Sequence, residues 1–287
     1  MAGNPLGIHA LVWVGSWDEA DCVKAVSSSA GIGFDIIEIP AFEPREMDPV
    51  MTRRVCEQYG LTPTISLGLT HESDINSEDE VTIAKGRETL FDALEFARGI
   101  GSPYLGGVIF GALDRYRAPT TDAARRNSAA VIRELGQEAA KDGITIGLEF
   151  VNRYESNLLN TAQQTLDYLD IVGVDNVKVH ADVYHMNIEE TDYRTPLIAC
   201  GDRLGYVHIG ESHRGYLGTG TIDFAEFFGG LREVAYTGPV TFESFSSTVV
   251  SRHLSNTLAI WRNTWSDGAD LAVQARDFIR AGLAGEL

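Results

Sequence analysis

Two short runs, Ile144-Thr-Ile-Gly-Leu-Glu149 and Val177-Lys-Val-His-Ala-Asp182, decide how this chain folds. Each is apolar, rich in β-branched residues and closed by a carboxylate. A longer amphipathic segment separates them. Two strands joined by a crossover of that kind lie parallel, and a parallel strand covered on both faces reads as a nearly continuous apolar run.

The same alternation extends outward in both directions. Strands are expected at 7–13, 34–39, 61–67, 103–109, 144–150, 177–182, 204–209 and 239–243, with helices between them. The expected fold class is therefore α/β, a (β/α)8 TIM barrel. At 287 residues the chain is slightly longer than the ~250 residues usual for that fold, so positions 1–287 are read as a single catalytic domain.

Helix boundaries are legible in places. Ser16 with Glu19 and Ser77 with Glu80 have capping-box spacing, Asp48-Pro49 sets a cap before an N1 proline, and Gly60 and Gly143 suit helix ends. Beyond the eighth strand, helical patterns at 254–265 and 269–283 flank Ser266-Asp267-Gly268, and the second is expected as an appended C-terminal helix.

Composition narrows the function. Hydrophobic residues make up 44% and charged residues 22%, as in a soluble globular enzyme, and the formal charge of -18 would repel nucleic acid. Cys22, Cys56 and Cys200 show no CxxC spacing and no even pairing, which argues against a disulfide framework or thiolate zinc. No leader pattern and no run of ~20 apolar residues is present, so no membrane partner and a cytoplasmic location are expected.

In a TIM barrel the chemistry gathers at the carboxyl ends of the strands. There Glu149, Asp182, His208 and Glu243 interrupt four successive apolar strands. Taken singly, each has an ordinary alternative: a strand-end acid often caps the next helix, and a strand histidine is often a hydrogen-bonded core residue. Taken together they converge on one point, where three carboxylates need compensation. A divalent cation supplies it, and three oxygens with one imidazole suit Mn²⁺, Co²⁺ or Mg²⁺ better than structural zinc.

The stretches Leu148-Glu-Phe-Val-Asn-Arg-Tyr-Glu155, Asp182-Val-Tyr-His-Met-Asn-Ile-Glu-Glu190, His208-Ile-Gly-Glu-Ser-His-Arg214 and Phe242-Glu-Ser-Phe245 closely resemble the ketose 3-epimerases, the D-tagatose, D-psicose (D-allulose) and L-ribulose 3-epimerase group among the xylose isomerase-like barrels. The resemblance runs through nearly the whole chain. It implies that Glu149, Asp182, His208 and Glu243 bind a metal, most often Mn²⁺ or Co²⁺, and that Glu149 and Glu243 exchange the proton at sugar carbon 3. It further implies sugar contacts from Glu155, His185 and Arg214, a small-molecule ketose substrate, and a homodimer or homotetramer.

Chemistry agrees with that implication. Inverting a carbinol carbon beside a ketone requires a base on one face and an acid on the other, with the intervening enediolate stabilised. Departures from the family pattern at His9, Ser66 and the loop after Gly107 concern the end of the substrate remote from the metal. Trp13 and Trp17 are read as packing, with a pocket wall as the alternative. Competing functions are a hydroxypyruvate isomerase-like aldose–ketose isomerase, a cyclitol dehydratase and a non-catalytic sugar-binding barrel. A multinuclear zinc endonuclease would need more ligands and a less acidic surface.

Overall fold

The structure, a computed structural model, describes residues 3–41 and 43–287. Eight strands form a closed barrel in sequential order: β1 (Leu6–His9), β2 (Ile36–Pro40), β3 (Thr62–Leu69), β4 (Tyr104–Ala112), β5 (Thr145–Glu149), β6 (Val177–Asp182), β7 (Leu204–Ile209) and β8 (Val240–Phe242). Every neighbouring pair is parallel, including β1 with β8. Helices such as Glu19–Ile32, Asp122–Ala140 and Phe224–Glu233 cover the outside, as parallel crossovers require.

The first strand is shorter than expected. It ends at His9, and Ala10–Val12 form a 3-10 turn whose residues are buried. A short apolar run does not by itself distinguish a strand from a buried turn. Both expected capping boxes also sit two residues early. The caps are Asp18 and Asp79, whose carboxylates accept from the Asp21 and Thr82 amides, and Ser16 instead donates to the Asp21 side chain. Asp48 and Gly60 cap the helix Pro49–Tyr59 as expected.

The second C-terminal helix is present as Gly268–Ala284 and packs against β8 and the helices Glu19–Ile32 and Phe224–Glu233. Residues 254–265 depart from expectation. Only Arg252–Thr257 is helical, because Ala259 adopts a left-handed φ of 53° and turns the chain.

The barrel interior is more polar than the usual fill of branched aliphatics. Tyr104 and Tyr206 stack with centroids 4.1 Å apart, Tyr104 Oη lies 2.9 Å from His180 Nδ1, and Tyr206 Oη meets Thr64 at 3.0 Å and Thr241 at 2.7 Å. Gly147 makes room for this layer, since a Cβ there would fall 1.8 Å from Tyr104 Oη. The layer forms a hydrogen-bonded floor beneath the carboxyl ends of the strands.

Candidate active site

Four ligand atoms, one each from Glu149, Asp182, His208 and Glu243, lie within 4.8 Å of one another, and all four residues are buried. Glu149 and Asp182 end β5 and β6, His208 is on β7, and Glu243 follows β8 by one residue, with its amide donating to Ile209 O at 3.0 Å. The sequence rule that looked for polar residues at strand ends therefore found one cluster.

Asp182 fills the capping role and leaves the other oxygen open to the second role considered for it. Its Oδ1 caps the helix Val183–Glu189 by accepting from Tyr184 N at 2.8 Å, which leaves Oδ2 facing the site. His208 presents Nδ1 to Glu149 at 3.3 Å and to Glu243 at 3.7 Å.

Glu38 was missed by sequence reading. It interrupts β2 as Glu149 interrupts β5, is fully buried, and lies 2.9 Å from His208 Nε2. The same test applied to strand two would have found it. Asn152 and Glu211 were also missed, because each lies inside a motif but acts through neighbours.

Asn152 orients two of the expected sugar contacts. Its backbone amide and its Nδ2 lie 3.2 and 2.9 Å from His185 Nδ1, and its Nδ2 donates to Glu155 Oε1 at 2.8 Å. With its Nδ1 accepting, His185 carries its proton on Nε2, which faces Asp182 at 3.5 Å and Glu149 at 3.8 Å. Burial pushes His185 down to about 4, so the ring is neutral near pH 7.

Arg214 is not the solvated loop residue its position suggests. Its guanidinium lies 2.7 Å from Glu243 Oε2 and 3.4 Å from Asp182 Oδ2, and it stacks 3.8 Å above the Tyr184 ring. A φ of 57° strains its backbone, which is fixed from both sides. Its amide donates to Glu211 O at 2.8 Å, and its carbonyl accepts from Ser244 at 2.6 Å and Thr264 at 3.1 Å. Buried Glu211 holds the loop itself by accepting from the Ser212 and Gly218 amides.

Electrostatics argue for a bound cation. Four buried carboxyls gather here: Glu38, Glu149 and Glu243 around the His208 ring, and Asp182 with Glu243 on the Arg214 guanidinium. Burial, opposed by His208 and reinforced by Glu243 and Asp182, pushes Glu149 up to about 7. Burial would lower His208, but Glu38, Glu243 and Glu149 together hold it well above its ordinary value. In the absence of a metal the cluster thus retains protons that a cation could replace. Three carboxylate oxygens and one imidazole nitrogen fit a hard or borderline divalent ion.

A cavity of about 220 Å³ meets the cluster through Arg214 and is lined also by Glu155, Tyr184, Ser212, His213, Phe245 and residues 258–262. A larger cavity of about 890 Å³ lies at the opposite, amino-terminal mouth of the barrel, around Asn4, Asp35 and Arg280. Strand direction and the converging carboxylates favour the smaller one as the site of chemistry. Trp13 and Trp17 do not line it; they donate to Ser29 at 2.9 Å and Thr52 at 3.0 Å in helix packing. His9 is buried, and its Nε2 lies 3.5 Å from Ser66 Oγ and 3.7 Å from Glu38.

Residues 26–281 match the family described as xylose isomerase-like TIM barrel. The chain is 48% identical over 274 residues to an L-ribulose 3-epimerase of Methylomonas sp. (strain DH-1), covering 96% of both chains. It is 43% identical to a ketose 3-epimerase of Arthrobacter globiformis, over 96% of this chain and 95% of the other. A crystal structure of a D-allulose 3-epimerase from Methylomonas sp. in complex with D-allulose superposes with a TM-score of 0.95 at 47% identity, covering 98% of this chain and 97% of that one.

Proposed function

This chain belongs to the ketose 3-epimerase family of xylose isomerase-like TIM barrels, isomerases that act on sugars, and on that premise we propose that it inverts carbon 3 of a free ketose with Glu149 and Glu243 as paired acid and base. One observation carries the reading: both glutamates reach the same buried point from strands on different sides of the barrel mouth, with Asp182 and His208 between them.

Glu149, Asp182, His208 and Glu243 would hold the cation, with Mn²⁺ first and Co²⁺ or Mg²⁺ as alternatives on donor chemistry. When bound, it supplies Lewis-acid stabilisation for the charge that develops on the ketose oxygens as the carbon-3 proton leaves.

The side chains do the rest. One glutamate removes the proton while the other returns one to the opposite face, and the pair exchanges roles in the reverse direction. A carboxylate held beside the reacting carbon can take up the proton and release it again, which is the role assigned to Glu149 and Glu243. Arg214 adds fixed positive charge beside the site, His185 contributes an Nε2–H, and Glu155 accepts sugar hydroxyls at the cavity wall. Held rigidly, these groups need no reorganisation as charge develops.

The substrate class is a small ketose, not a polyanion, which the formal charge of -18 supports. Three free, buried cysteines suit a reducing cytoplasm, and no described helix is long and apolar enough to cross a membrane. All 287 residues act as one catalytic domain, and exposed Val273 and Leu287 offer apolar surface for a homodimer or homotetramer.

The test is incubation of Mn²⁺-loaded and chelator-treated protein with D-fructose, D-tagatose, D-psicose and L-ribulose in deuterated water, followed by NMR of the products. Metal-dependent epimers carrying deuterium at carbon 3 are expected. Aldoses labelled at another carbon would replace this reading with an aldose–ketose isomerase.

A further inference from the structure

Glu38 is absent from the ligand set that the family resemblance implies, yet it is as completely enclosed as Asp182. It sits in the middle of β2 at 0% exposure, and its two oxygens lie 3.0 and 2.9 Å from His208 Nε2. An unpaired carboxylate at that depth would be expensive. Something holds it there in its charged form.

Three groups do so. The His208 Nε2–H is shared between both oxygens. The Tyr206 hydroxyl accepts from Thr241 at 2.7 Å, and the nearby Glu38 charge helps to hold its proton in place. His9 receives the Leu11 amide on Nδ1 at 3.2 Å, so its Nε2 bears hydrogen and faces Glu38 at 3.7 Å. Groups on β1 and β7 therefore flank the carboxylate of β2.

The consequence falls on the other edge of the imidazole. Once a cation displaces its second proton, the histidine carries one, and a carboxylate at Nε2 keeps it there, so Nδ1 is left as a lone pair. Nδ1 is the atom that faces Glu149 at 3.3 Å and Glu243 at 3.7 Å.

We propose that Glu38 is the positioning residue of the metal centre, fixing the tautomer and ring orientation of His208 so that Nδ1 is offered to the cation. It touches neither sugar nor metal and acts only through His208. The inference rests on reading Glu149, Asp182, His208 and Glu243 as the cation's ligands.

The experiment is titration of Mn²⁺ into the parent chain, E38Q and E38D by calorimetry, without sugar, with melting temperatures measured in EDTA. Removing an outer-shell partner typically weakens metal affinity 10–100-fold. E38Q is expected to bind Mn²⁺ within that range of loss while melting close to the parent in EDTA. E38D keeps the charge and is expected to recover part of the affinity. The hydrogen-bonded His208 Nε2–H resonance of the parent should be lost in E38Q. Mn²⁺ affinity of both variants within twofold of the parent would overturn the inference and leave the epimerase reading intact. Failure of the parent itself to bind Mn²⁺ would overturn both.

Discussion

Arg214 and Glu243 form a 2.7 Å ion pair on the inner wall of the barrel mouth, and the same guanidinium nitrogen reaches Asp182 at 3.4 Å. Two of the four candidate ligands are thus already engaged by a cation that belongs to the protein. Arg214 has two opposed effects: it supplies charge for the developing oxyanion, and it repels the divalent ion.

Replacing Arg214 should separate those effects. In R214M the loss of a like charge a few ångströms from the metal position is expected to strengthen Mn²⁺ binding about tenfold at pH 8, because a unit charge pair at 4 Å is worth about 4 kcal/mol at an effective dielectric of 20 before screening at the open mouth. Turnover should move the other way, with kcat/KM for the preferred ketose falling about 100-fold as oxyanion stabilisation is lost. Calorimetry and steady-state kinetics on one preparation check both signs. A parallel fall in metal affinity and activity would show that Arg214 holds the ligands in place and does not compete for them.

The two glutamates should be separable by isotope exchange. In E149Q and E243Q an amide oxygen remains near the metal position while the proton carrier is gone, so epimerisation should fall by about 10² to 10⁴. Each variant keeps one working carboxylate. It is expected to exchange carbon-3 hydrogen of one epimer with deuterated water while returning it to the same face, and to leave the opposite epimer unlabelled. The two variants should show mirrored preferences. Identical labelling patterns in both would assign the two faces to something other than Glu149 and Glu243.

How much of this was legible in the sequence can be judged residue by residue. The eight-strand alternation and the cluster of Glu149, Asp182, His208 and Glu243 were readable because buried parallel strands are apolar and their polar exceptions stand out. Glu38 obeyed the same rule but lay three strands from the nearest member of the cluster in sequence order. Only barrel closure, with β1 beside β8, brings β2 around to His208. The end of β1 was misread because Ala10, Leu11 and Val12 are as buried in a 3-10 turn as they would be in a strand. Asn152 carries no signal of its own, since an amide that orients His185 and Glu155 is indistinguishable in sequence from a loop asparagine.

The remaining prediction concerns pH. Burial, partly offset by His208 and increased by Glu243 and Asp182, raises Glu149 from 4.5 to about 7 in the metal-free protein. A raised folded-state value means that this group's contribution to stability is fully present below about 4.5 and is lost as pH rises through about 7. A cation binds the carboxylate and not the acid, so metal affinity has the opposite dependence. It should weaken by up to about tenfold per pH unit below 7 for each proton displaced, with the raised His208 adding to the slope. His185 and His9 are lowered by burial and titrate in the opposite sense, so raw melting temperatures mix both trends. The difference in melting temperature between Mn²⁺-loaded and chelated protein removes groups that the metal leaves unchanged. That difference is expected to be larger at pH 7.5 than at pH 5.5, and calorimetry in buffers of different ionisation enthalpy should register proton release on binding at pH 6. A metal-induced shift independent of pH, with no proton released, would mean that the four ligands are already fully deprotonated and that the carboxylate cluster is compensated by other means.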